Sequence, residues 1–343
     1  MGIARKVTKA EGKGITISRP HDLTRSTQLV YGLCTLAGSL TFLDEVQRDA
    51  QSAGIQQAVR DHDTPTIFDW LLAAFSYQGI SDRVARDYMA RHGTVSWHML
   101  TEALANPPSC QRLHSHWQFD DCHFAKGSFT CSEPDKIKTC PLPRYRLRNG
   151  RLNQTAHSFY LFVRDITGSD IVGWIDSRLA TANDRANVDR QEQLIGPLRH
   201  VYGISDKILT MTLSGLLISA ARQRPVWFDV GIGMIAIDTL VHNFLHRTGI
   251  LDDCGVAHGY GAACYAQGGC AAVIHRLSEQ IDARVFNRDY PANFPRFVQH
   301  AIWRYCAGDG FNICNGNSID DTKSCTVAHC RLGEKCLKKP LNM

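Results

Sequence analysis

Between Leu198 and Leu209 an apolar helix end runs into a tight turn at Gly203 and Ser205, and a second apolar helix begins at once. One reading is a plain helix–turn–helix connection in a bundle. The other uses the turn: backbone N–H groups at a helix N-terminus stand exposed there and can hold a phosphate. Both are helical, and helical spacing dominates the rest of the chain. Ile67, Leu71, Leu72 and Phe75 recur at three- and four-residue intervals behind a Thr64-Pro65 start, and the pattern resumes at Leu152 with Phe159, Leu161, Phe162 and Ile166. Strand-like alternation is scarce, so the chain reads as all-α.

At 343 residues the chain is long enough for two or three domains and a sizeable core. Its 44% apolar and 21% charged residues exclude a disordered or fibrous protein. A net charge of +5 is compatible with a nucleic-acid partner and does not establish one. No export signal follows Met1, and Lys6 breaks the myristoylation pattern. The uncharged run Leu29–Leu43 is shorter than the ~20 residues of a span and reads as a buried helix. The thirteen cysteines are therefore placed in a reducing cytosol, as metal ligands plus inert buried thiols.

The organisation expected is a flexible polar leader over 1–20, N-terminal helices over 21–105 and a Cys/His/Arg-rich insertion over 106–151. A helical core over 152–250, further helices over 251–305 and a Cys-rich loop over 306–343 complete it.

A second informative segment runs from Ile235 to Gly249, where Asp238 stands just before an apolar helix, as an N-cap would. A third, Ile67–Asp82, ends in Ser76, Gln78 and Asp82. With these three in order, residues 60 to 336 resemble the helix–hairpin–helix DNA glycosylase superfamily, whose best-known branch is endonuclease III. Lys207 matches that family's hairpin lysine and Asp238 its aspartate, while Ser205 stands where the family has its second hairpin glycine and Tyr202 where it has proline. Asp238 follows Lys207 by 31 positions, closer to the archaeal 8-oxoguanine glycosylase branch.

The resemblance implies a two-lobed all-α fold, one lobe of central helices (60–240) and one of N- and C-terminal helices, with duplex DNA across the cleft. It implies excision of a damaged or modified base, with Lys207 and Asp238 catalytic and abasic-site lyase activity through Lys207. Cleaving a glycosidic bond builds positive charge on the sugar, which a carboxylate stabilises. An unprotonated lysine can attack C1′ and form a Schiff base; burial or a helix N-terminus favours that state. Gly203, Ser205 and Gln78 are the implied DNA contacts, Gln78 filling the hole left by the extruded base. Two rivals stand beside this: a monofunctional glycosylase using Asp238 alone, and a non-catalytic metal-cluster DNA-binding protein.

The tail spaces Cys314, Cys325, Cys330 and Cys336 by ten, four and five residues. Endonuclease III relatives end on four cysteines holding a 4Fe–4S cluster, the last interval being the same. Soft thiolates suit iron–sulfur or zinc. In the insertion, Cys110, Cys122, Cys131 and Cys140, with His114, His116 and His123, are a candidate zinc site without a two-residue knuckle. The cysteines at 34, 254, 264, 270 and 306 read as buried or idle thiols. Arg144, Arg146, Arg148 and Arg151, interleaved with Tyr145, form either a phosphate-contacting patch or a solvated loop. The expected partner is DNA, with no membrane, for a monomer in the cytoplasm.

Overall fold

A computed structural model describes residues 24–37, 42–77, 82–106, 108–125, 127–128, 130–142, 150–182, 186–315, 320 and 322–341. The N-terminal helices are α1 (Arg25–Ala37), α2 (Phe42–Ser52), α3 (Ile55–Asp61), α4 (Thr64–Phe75), α5 (Asp82–His92) and α6 (Trp97–Ala103). After the insertion come α7 (Gly150–Asp165), α8 (Ile171–Thr181), α9 (Asn187–Leu198), α10 (Asp206–Ser219) and α11 (Pro225–Gly231). The last are α12 (Thr239–Arg247), α13 (Ile250–Asp253), α14 (Cys270–Ser278) and α15 (Pro295–Cys306). The sheet among the described residues is one antiparallel ladder inside the insertion, Phe124–Ala125 on Thr130–Cys131. The chain is all-α in substance.

Local chemistry explains the helix starts. Asp63 caps α4 by accepting from Thr66 N at 3.2 Å, and Pro65 fixes the first turn. The chain stops α6 at Ala103, ahead of Asn106-Pro107-Pro108. The uncharged run expected as one buried helix is shared between α1 and α2. No single described helix is long and apolar enough to cross a membrane; α1 and α2 pass that test only as a bent pair. Leu29, Val30, Leu33 and Cys34 of α1 are buried inside the protein.

The buried apolar side chains form two clusters. The first draws on residues 50–234, with Phe68 stacked on Phe159 at 4.7 Å and Trp227 fully enclosed. The second joins residues 29–43 to residues 218–332, around Phe244, Phe294, Phe297 and Tyr305. Leu216 and Leu217 of α10 belong to the first and Ile218 to the second, so the end of α10 stitches the clusters together. Hence α10 starts in the first cluster, whereas α12 lies in the second.

Two buried histidines make stability depend on pH. His157 donates from Nδ1 to Asn153 O at 2.9 Å, and burial pulls its imidazole down to about 4. Burial, then the charges of Arg296 and Arg304, pull His300 down to about 3. Both titrate near ~6.5 in the unfolded chain, so below that pH the unfolded state binds more protons. Their contribution is full above about pH 6.5 and is lost as pH falls toward those folded values. Urea midpoints should therefore drop from about pH 7.5 to about pH 5, and His157→Gln should make the drop shallower; equal midpoints would refute this.

Candidate functional site

The hairpin is held from behind by α7. Tyr202 N donates to Ser158 Oγ at 2.9 Å and Thr155 Oγ1 donates to Tyr202 O at 2.9 Å. Gly203 adopts φ 81°, the left-handed region that a side chain resists, so the turn reverses there. Ser205 is extended and opens α10, which puts Lys207 in the helix's first turn. Asp206 is engaged by Arg199 at 2.9 Å, and the same guanidinium also binds Glu192. Lys207 is half-buried and makes no hydrogen bond or ion pair with any described residue. Its amine is thus not consumed by a neighbouring carboxylate.

Asp238 is the N-cap of α12, accepting from Val241 N at 2.9 Å. That bond uses Oδ1, and the side chain is half-buried rather than sealed. Tyr265 braces the start of α12. Ile237 N donates to its hydroxyl at 2.8 Å, and burial pushes the phenol upward, with the Asp206 carboxylate adding to the shift. Tyr260 is raised by burial and by the Asp238 charge. Arg296 is pulled down to about 10 by desolvation, against the opposing fields of Tyr265 and Asp238. A carboxylate, two phenols and a guanidinium thus gather at the start of α12. Such a set can hold an anion and stabilise a cation developing beside Asp238.

One turn beyond Asp238, His242 meets residues that the sequence presents as idle thiols. One ligand atom each from His242, His258, Cys264 and Cys270 lies within 4.8 Å of the others. His242 Nδ1 is 3.3 Å from Cys270 Sγ and 3.5 Å from Cys264 Sγ, and His258 Nε2 is 3.3 Å from Cys270 Sγ. Hydrogen bonds from Cys270 and His242 hold the Cys264 thiol below its ordinary value, while the same contact raises Cys270. This group could hold a metal ion. Its sequence signal is weak: intervals of sixteen, six and six positions follow no knuckle spacing.

The tail cysteines gather more loosely. Burial raises Cys336, and the charges of Cys314, Cys330 and Cys325 add to it. Tyr305 Oη lies 3.2 Å from Cys330 Sγ, and Lys338 N donates to Cys336 Sγ at 3.3 Å. Buried Cys306 also interacts with Cys314. The insertion behaves likewise: burial raises Cys140 to about 11, helped by Cys122, Cys131 and Cys110. Among the described residues, the group whose ligand atoms all lie within 4.8 Å of one another is that of His242. The insertion's histidines are occupied elsewhere. His114 Nε2 sits 2.7 Å from Pro108 O, His116 packs on Phe162, and His123 lies 2.8 Å from Glu133.

Gln78, Arg144, Arg146 and Arg148, expected on the DNA, lie outside the described residues, as does the leader. Comparison with known protein families, characterised proteins and solved structures finds no match for this chain.

Proposed function

We propose that the protein is a DNA glycosylase with associated abasic-site lyase activity, acting on a modified base in duplex DNA. The observation that carries this reading is the pair of half-buried helix-start side chains, Lys207 in the first turn of α10 behind the Gly203 turn and Asp238 as the N-cap of α12. A base inside a duplex is out of reach, so the nucleotide must be extruded, at a cost of a few kcal/mol. The first-turn N–H groups of α10 and the turn at Gly203 would take the adjoining phosphate. Asp238 faces the sugar and stabilises the positive charge that grows at C1′ as the base leaves with the bonding pair. The Lys207 Nζ lone pair then bonds to C1′; loss of an amine proton and ring opening give the Schiff base. Abstraction of a C2′ proton expels the 3′ phosphate and nicks the strand.

Cys314, Cys325, Cys330 and Cys336 would hold a 4Fe–4S cluster, which keeps its thiolates farther apart than one ion does, in line with the loose gathering of these sulfurs. Its role here is structural, presenting Arg331, Lys335, Lys338 and Lys339 to phosphates.

The test is a panel of duplexes, each with one modified base, scored for base release, strand cleavage and borohydride-trapped adduct. Wild type should give all three on at least one duplex, and Lys207→Ala should lose the adduct. Base release without an adduct would leave a monofunctional enzyme relying on Asp238. Binding with no base release on any duplex would leave a DNA-binding protein.

A further inference from the structure

We infer that His242, His258, Cys264 and Cys270 bind one zinc ion, which ties the start of α12 to the glycine-rich loop before α14. The geometry asks for a single ion. Zinc bonds of about 2.3 Å to sulfur and about 2.0 Å to nitrogen, set tetrahedrally, put N and S ligands about 3.5 Å apart. Three of the four N···S separations here are 3.3, 3.5 and 3.3 Å. A two-iron centre with the same four residues would split the histidines and cysteines between two metals and hold them farther apart. Two imidazoles with two thiolates also match zinc better than a hard cation.

The surroundings are built for ligation. His258 Nδ1 donates to Val256 O at 2.6 Å, which fixes the tautomer and leaves the Nε2 lone pair toward Cys270. Cys264 and Cys270 are fully buried, and His242 is nearly so. At Gly269 a side chain would strike Ala263 O at 2.1 Å and Cys264 O at 2.8 Å. Only glycine lets the backbone close up there and bring the two sulfurs to one point. Four protein ligands leave no open position, so the ion is structural. Its reach is short and direct: Tyr265 follows ligand Cys264, and its hydroxyl receives Ile237 N, the residue before Asp238.

This assignment is independent of the proposed reaction, and its readout is metal content. The full chain, expressed with zinc and iron supplied, is compared with a Cys264→Ser/Cys270→Ser variant by elemental analysis. The variant should lose one zinc per chain with iron unchanged; an unchanged zinc content overturns the inference. A variant that keeps four ligands covers the case where the double replacement does not accumulate. Cobalt-loaded His258→Cys should show thiolate-to-cobalt absorption about 1.5-fold that of wild type, three thiolates standing in place of two. Equal absorption overturns the inference, as does a Cys264–Cys270 disulfide in zinc-free wild-type chain.

Discussion

Asp238→Asn should lower the rate of base release about 10²–10³-fold, the range found when one preorganised charge-stabilising group is removed from a site. The same change should leave the fold almost untouched. In the proposed reaction Asp238 has two jobs, capping α12 through Val241 N and presenting a charge. Asparagine caps a helix about as well as aspartate, because its amide oxygen accepts the same N–H. Only the charge is lost. Asp238→Ala removes both, so it should match the Asn variant in rate while also costing about 1 kcal/mol of stability. Single-turnover base release and thermal unfolding, measured on the same preparations, separate the roles. Wild-type rates in the Asn variant would reduce Asp238 to a cap and remove the proposed chemistry with it.

Why Asp238 is legible in the sequence while the metal group is not is a matter of range. A cap is declared within a few residues, by a short polar side chain before an apolar periodic run, and so is the turn at Gly203. The start of α4 at Asp63-Thr64-Pro65 is equally local. The His242 group depends instead on contacts the one-dimensional pattern does not carry. A helix from the second cluster must meet a loop whose backbone folds back on itself at Gly269, and neither event leaves a periodic trace. Cys264 and Cys270 read as buried thiols because they are buried; burial and ligation are not alternatives. The division of helices between two clusters is similarly long-range, since α1 precedes the first cluster in sequence and packs with α15 in the second. In the tail, the five-residue interval between Cys330 and Cys336 is visible in the sequence, while the convergence of Cys314 and Cys325 on them needs the tertiary structure.

Cys330→Ser should remove the iron and loosen the tail while the helices remain folded. The residues from 322 onward have few apolar anchors of their own. Leu332 and Leu341 are buried, and α12 and the turn after it supply the backbone partners: Leu337 N donates to Thr248 O at 3.3 Å and Lys339 N to Arg247 O at 2.9 Å. The ion pair of Lys339 with Asp252, at 2.7 Å, is partly exposed and adds at most about 1 kcal/mol. Ordering some twenty residues costs on the order of 1 kcal/mol each in backbone entropy, more than these interactions offset. In the proposed cluster, metal ligation supplies the difference. Serine preserves a hydroxyl near Tyr305 Oη, so the variant tests the ligand rather than that hydrogen bond. Iron should fall from about four atoms per chain to below one, and visible absorption should vanish with it. Trypsin should then cut rapidly at Arg331, Lys335 and Lys338 while the helices resist. The salt dependence of DNA binding should flatten by about 0.9 in logarithmic slope for each phosphate that the tail ceases to neutralise. A variant with wild-type tryptic resistance and no change in iron would show that the tail is held by its polypeptide interactions alone.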